Sequence, residues 1–191
     1  MGSIGHIFLI GFSGSGKTTV GTLLARHLGR SFLDTDALIE KQAGMSIRDI
    51  FASNGEPEFR RLEEKVITEL AAQTRPEHVV ALGGGAFENA TNRRTTAAAG
   101  RIVYLSCSAR EIHRRLKLHT DRPLLQPDRA GERAGRPELH KKIASLLATR
   151  RNNYRKAELT VSTTNRTPAN VVKLIRYKLR SCDVQSQSRS R

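Results

Sequence analysis

Aromatic residues are scarce in this chain of 191 residues: they make up 5%, with no tryptophan. Nucleic-acid binders of the RNP type depend on such rings, and neither that pattern nor a helix-turn-helix pattern is present. Cysteine is equally sparse. Cys107 and Cys182 stand far apart and share no metal spacing, which reads as reduced thiols of a cytoplasmic chain, Cys107 near a buried strand end. The six histidines form no H-x-x-x-H pair, so a metal cage built by the protein alone is not expected. No apolar run approaches a membrane span, and the first strand begins at once, so no leader peptide is expected within this sequence, which leaves a removed one open. Acidic residues are also in deficit, 18 against 33 basic ones, for a net charge of +15. The basic residues are spread over several segments, and charge alone supports only non-specific nucleic-acid association. Surplus arginines around small polyanionic ligands fit that distribution better, so no specific nucleic-acid partner is expected.

What is present begins with Gly11-Phe12-Ser13-Gly14-Ser15-Gly16-Lys17-Thr18. It fits G-x-x-x-x-G-K-[ST], the phosphate-binding loop of nucleoside triphosphate enzymes. An apolar run, His6–Ile10, precedes it as a buried parallel strand. A helical pattern follows, with Val20, Leu23, Leu24 and His27 on one face. The glycines allow backbone N–H groups to ring a phosphate, and the positive helix end then faces the anion. Lys17 reaches the outer phosphates as a point charge, and the Thr18 hydroxyl is suited to Mg²⁺. The loop identifies a nucleotide donor and says nothing of the acceptor.

Further along, a short strand over 30–33 runs into Asp34-Thr35-Asp36, with Asp36 as helix N-cap. Ser46 to Asp49 has capping-box form, Asn54-Gly55 stops that helix, and Pro57 suits the first position of the next. There Phe59, Leu62, Val66 and Leu70 share an apolar face, and Arg60 lies three residues before Glu63. A third strand over 78–82 ends in Gly83-Gly84-Gly85; three consecutive glycines at a strand end predict close backbone approach. A helix over 91–99, a strand over 102–105 and a helix from Ser108 to about Leu118 follow. From 119 to 137 apolar periodicity vanishes. A helix over 139–154 turns Leu139, Ile143, Leu146, Arg150 and Tyr154 to one side, so Arg150 points inward and requires an anionic partner. A fifth strand over 159–163 and a helix from Thr167-Pro168, with Val171, Val172, Ile175 and Leu179 inward, complete the pattern. Residues 181–191 read as a polar, disordered tail.

Alternating strands and helices predict an α/β fold, a parallel sheet with helices on both faces, in one domain over 1–180. Ligands on such a sheet collect at the carboxyl ends of the strands. The phosphate loop, the Asp pair and the triple glycine all lie there.

Taken together, Gly11–Thr18, Phe32-Leu33-Asp34-Thr35-Asp36, Ser46-x-x-Asp49-Ile50-Phe51, Gly55-Glu56-x-x-Phe59-Arg60, Gly83-Gly84-Gly85-Ala86 and Arg122-Pro123-Leu124-Leu125 closely resemble the shikimate kinase family. The resemblance covers residues 6 to about 180. It implies a five-stranded, three-layer P-loop kinase fold of the nucleoside-monophosphate-kinase type, moving the γ-phosphoryl group of ATP to the 3-hydroxyl of shikimate. It also implies a substrate-binding segment at about 34–61 and a mobile lid at about 119–137. By the same resemblance Asp36 holds the shikimate hydroxyls and serves as base or orienter, while Arg60 and Arg150 clamp the carboxylate. Gly83, Gly84 and Gly85 offer N–H groups and close approach. Gly14, Ser15, Gly16, Lys17, Thr18 and Thr19 bind ATP with Arg115 and Arg166 flanking the adenine, and Arg122 closes over the phosphates. Thr18 holds Mg²⁺ directly and Asp34 holds it through water. A cytoplasmic monomer is expected. Two departures stand out: a lid several residues longer than in compact members, and Ser162 where an aspartate is often found.

Overall fold

The strand His6–Ile10 (β1) is apolar on both sides because it is covered on both sides. Ile7 and Leu9 face one core with Val20, Leu24, Val171 and Ile175; Phe8 and Ile10 face the other with Ile39, Phe59, Ile67 and Tyr154. The protein is described here by a computed structural model, which covers residues 5–116 and 136–188. After β1 come helix α1 (Lys17–Leu28), β2 (Ser31–Asp34), α2 (Thr35–Ala43), α3 (Ile47–Ser53), α4 (Gly55–Ala72) and β3 (His78–Ala81). A short 3-10 turn at Ala86–Glu88 leads to α5 (Ala90–Ala99), β4 (Gly100–Ser106), α6 (Ala109–Leu116), α7 (Arg136–Tyr154), β5 (Leu159–Ser162) and α8 (Pro168–Ser188).

Among the described residues the strands form one parallel sheet in the order β2-β3-β1-β4-β5. Helices α1 and α8 pack on one face, and α2, α4 and α7 on the other. That is the expected three-layer α/β architecture. Register matters more than order for the site. Asp34 pairs with Ala81, and Ala81 pairs with Leu9. The carboxyl ends of three adjacent strands therefore lie level, and the loops that leave them meet.

Local chemistry sets most boundaries. Ser46 caps α3 by accepting the Asp49 N–H at 3.2 Å, and Asn89 caps α5 by accepting the N–H groups of Thr91 and Asn92. Some boundaries differ from expectation. Asp34, one residue before α2, is its N-cap and accepts the Asp36 N–H; Asp36 itself sits in the first turn. Gly55 opens α4, so Pro57 is its third residue, still within the turn whose N–H groups have no helical acceptor. His27 is exposed, its ring on the Leu23 carbonyl, and Gly21 and Ala25 complete the buried face of α1 instead. Helix α7 begins at Arg136, inside the stretch expected to be lid. Helix α8 runs to Ser188, through most of the expected tail, and Cys182 packs against the core. No helix among the described residues is long and apolar enough to cross a membrane.

At the amino ends of two interior strands, His6 of β1 and His78 of β3 stack at 5.5 Å with 8° between their planes. His6 Nδ1 accepts the His78 backbone N–H, and its Nε2 lies 2.6 Å from the Gln73 carbonyl oxygen. Burial lowers the His78 pKa, and His6 and then Arg30 add to the effect. The neutral ring is thus favoured in the folded state. Its stabilising contribution is complete above the unfolded pKa of about 6.5 and declines as pH falls below it. Thermal melts from about pH 7.5 to about pH 5.5 should show a falling melting temperature, with a shallower decline in His78→Phe.

Candidate active site

Helix α1 starts where the phosphate loop ends. Gly11, Gly14 and Gly16 have φ of 145°, 79° and 99°, a region costly for side chains with a Cβ. Lys17 is buried and folds back so that Nζ donates to the Gly11 and Phe12 carbonyls at 2.9 and 3.2 Å. The Thr18 hydroxyl donates to Asp34 Oδ2 at 3.1 Å. A hydroxyl beside a carboxylate, both oxygen donors next to a phosphate loop, fits Mg²⁺.

The triple glycine after β3 is the other half of the cleft. A Cβ on Gly83 would stand 2.7 Å from Asp36 Oδ1 and 2.8 Å from Glu63 Oε1. On Gly84 it would stand 3.8 Å from Arg150 Nη1, and on Gly85 2.8 Å from Arg60 Nη2. Asp36, Arg150 and Arg60 come from α2, α7 and α4, far apart in sequence, and all three reach one glycine turn. The turn is itself pinned: the Gly83 N–H donates to Thr35 Oγ1 at 2.9 Å. Gly83 therefore contributes close approach, and its expected role as a donor to a ligand is already taken by Thr35. Gly83→Ala should force Asp36 and Glu63 apart; we expect a melting temperature lower by about 2–12 °C, the range for overpacking in a domain of this size, read by calorimetry.

Glu63 explains how Arg60 is held. Its Oε2 accepts Arg60 Nη1 at 2.8 Å, and Glu56 Oε1 accepts Nε and Nη2 at 3.1 and 3.0 Å. The Glu63 side chain is 1% exposed. Burial raises its pKa, the Arg60 charge and hydrogen bond oppose that, Asp36 adds to it, and Arg150 lowers it. Its Oε1 has no hydrogen-bond partner among the described residues. Arg150 faces inward as expected: Nη1 donates to the Gly84 carbonyl at 2.9 Å, and the guanidinium lies 5.5 Å from the Phe12 ring centroid.

On the other side of the phosphate loop lies a groove of about 1060 Å³, with Ser15, Gly16, Thr19, Arg115 and Arg166 on its walls. Arg115 crosses it. Its Nε donates to Glu111, Nη1 to the Ser15 carbonyl at 3.2 Å, and Nη2 to the Thr163 carbonyl at 2.9 Å. Glu111, bonded by Arg114 first and then Arg115, has its pKa lowered to about 2. Arg166 Nη1 donates to the Ser162 carbonyl at 3.0 Å.

The model of the family described as shikimate kinase matches residues 13–180. The chain belongs to the shikimate kinase family. A shikimate kinase of Chlorobium chlorochromatii is 47% identical over 157 residues, covering 82% of this chain and 81% of its own. One from Geobacter metallireducens is 42% identical over 170 residues, 89% of either chain. The shikimate kinase of Acinetobacter baumannii, solved in complex with shikimate, superposes with a TM-score of 0.84 at 35% identity over 94% of both chains.

Against that family frame, the structure gathers Asp36, Arg60, Arg150 and Gly83–Gly85 at one cleft, with Lys17, Thr18 and Asp34 beside it. Arg115 and Arg166 share the groove across the loop. Arg122 and most of the lid segment lie outside the described residues. Sequence reasoning missed three contributors: Thr35, whose hydroxyl holds Gly83; Thr163, whose hydroxyl donates to the Ser15 carbonyl at 3.0 Å; and Tyr154, whose hydroxyl donates to the Gly84 carbonyl at 2.6 Å. Thr35 stands between the two recognised aspartates, and Tyr154 lies four residues past Arg150 on the same face. Those positions were the only signals available.

Proposed function

We propose that this enzyme phosphorylates the 3-hydroxyl of shikimate with ATP, using the cleft at the triple glycine for the acceptor. The observation that supports it most is the glycine turn with the Asp36 carboxylate, beside the bracing Glu63, and two guanidinium groups set against successive residues. A carboxylate accepts hydrogen bonds from hydroxyls, and arginine forks match a carboxylate in the plane. An acid bearing several hydroxyls and a ring that lies on bare backbone is the ligand with that set of features.

In this reading Asp36 binds the hydroxyls and accepts the proton of the attacking one or orients it. Arg60 and Arg150 hold the carboxylate, so the ring cannot turn a different hydroxyl toward the donor. Lys17 leaves its two loop carbonyls for the outer phosphates of ATP, and Gly14–Thr19 wrap them through N–H groups and hydroxyls. Arg115 and Arg166 flank the adenine, and Arg122 adds its charge over the phosphates. Thr18 would hold Mg²⁺ and Asp34 would reach it through water, a reading supported by the Thr18–Asp34 contact. When bound, that ion neutralises charge on the phosphate oxygens. The enzyme works as a cytoplasmic monomer with no specific nucleic-acid partner. The monomer alone draws support from the surface, whose large exposed hydrophobics among the described residues are Met45 and Tyr177.

The test is a coupled assay for ADP release with ATP and Mg²⁺, offering shikimate and gluconate in parallel. Both are carboxylates with several hydroxyls, so arginine clamps alone do not separate them. Turnover with shikimate and little with gluconate is expected; the reverse would overturn the reading.

A further inference from the structure

Gly84 carries a carbonyl that is gripped twice from α7. Arg150 Nη1 donates to it at 2.9 Å and the Tyr154 hydroxyl at 2.6 Å. A carbonyl oxygen has two lone pairs, and both are used here. Tyr154 is only 1% exposed, and its ring stacks on Tyr104 at 4.9 Å with 23° between the planes. Burial raises its pKa well above the ordinary tyrosine value, so the hydroxyl stays protonated and donates.

We infer that Tyr154 is a positioning residue for the acceptor site, fixing the Gly84 peptide and through it the Arg150 guanidinium. The inference rests on the proposed acceptor reading. It has two mechanical parts. The Gly84–Gly85 peptide is trans, so with its carbonyl drawn to α7 the Gly85 N–H is turned to the opposite side. Arg60 lies against Gly85, so a shift of this peptide would also move the backbone that the Arg60 guanidinium packs on. The same carbonyl is also the anchor of Arg150. A guanidinium with one nitrogen moored has its remaining donors held in one plane, and a mobile anchor would release them. Tyr154 makes no hydrogen bond to the nucleotide loop or to Asp36, so its first effect falls on acceptor binding.

Tyr154→Phe keeps the ring, its volume and its stack on Tyr104 and removes only the donor. The shikimate KM should rise roughly tenfold, as expected for losing one buried hydrogen bond that orients a charged group. The ATP KM should stay within about twofold. Hydrogen exchange of a peptide spanning Gly83–Phe87, measured without ligand, should be faster in the variant. Tyr104→Phe removes a hydroxyl from the same stack without touching Gly84, and should match wild type in both readouts. An unchanged shikimate KM or unchanged exchange in Tyr154→Phe overturns the inference, as does an equal rise in both KM values, which is the mark of general loosening. If wild type itself fails to use shikimate, the acceptor reading falls, and the exchange comparison still decides whether Tyr154 holds the turn.

Discussion

Asp36→Asn is expected to lower kcat for shikimate phosphorylation by roughly 10²–10⁴-fold, the span of positioned acid–base groups. The substitution keeps shape and removes the charge and the proton-accepting oxygen. Structure should survive it. Asp36 lies in the first turn of α2 but is not its cap; that duty falls to Asp34. The loss of a first-turn carboxylate at a helix N-terminus costs about 0.3–1 kcal/mol, a shift of about 1–4 °C in a domain this size. Removing Asp36 also relieves the buried Glu63 of a neighbouring negative charge, since Asp36 is one of the groups that raise its pKa. The two effects oppose each other, so the melting temperature should move little while activity collapses. Steady-state kinetics and calorimetry on one preparation check both halves. Turnover near wild type in Asp36→Asn would remove the residue from its role.

Arg60→Met has the second large effect, and it combines two costs that can be separated. One is the acceptor: with one of two guanidinium groups lost, shikimate KM should rise on the order of 100-fold, as for losing a charge-assisted bidentate pair. The other is the fold. Glu63 is almost fully buried and takes its hydrogen bond on Oε2 from Arg60. Stranding one member of a buried pair costs about 3–5 kcal/mol, or a melting-temperature drop on the order of 10 °C here. The penalty has a pH signature. With Arg60 gone the Glu63 pKa rises further, because the largest opposing influence has been removed. A carboxyl whose folded pKa lies above its unfolded value is stabilising below the unfolded value and loses that contribution as pH climbs through the folded one. Arg60→Met should therefore regain part of its stability on acidification into that window, relative to wild type at the same pH. Arg60→Met combined with Glu63→Leu removes the stranded charge. It should recover most of the melting temperature and none of the shikimate affinity. Recovery of both would mean that Arg60 serves only to brace the helix.

Features encoded within a few residues were legible from the sequence. The phosphate loop is a contiguous run flanked by a strand and a helix, and the dihedrals at Gly11, Gly14 and Gly16 follow from its residue types. The inward face of α8 could be read from spacing, because Val171, Val172, Ile175 and Leu179 are all buried. Arg150 could be placed inward by the same periodicity. Contacts that depend on how strands register against each other left no such trace. Thr35 meets the Gly83 N–H because Asp34 is level with Ala81 across the sheet, and no local pattern carries that alignment. Tyr154 reaches Gly84 across 70 residues of sequence. The capping of α2 was misassigned between two aspartates two residues apart, since either side chain suits a cap and only the backbone chooses. Helix α8 outruns its apolar stripe, so a reading based on periodicity ended it too early.

The central claim is that one hydroxyl of a clamped acid is presented to ATP while its carboxylate is held on the far side. Phosphorus and proton NMR of the product formed from shikimate, ATP and Mg²⁺ tests it most directly. A single phosphomonoester on the 3-hydroxyl, formed in equal amount to ADP, is expected. A mixture of phosphorylated hydroxyls, or ADP accompanied only by inorganic phosphate, would contradict it.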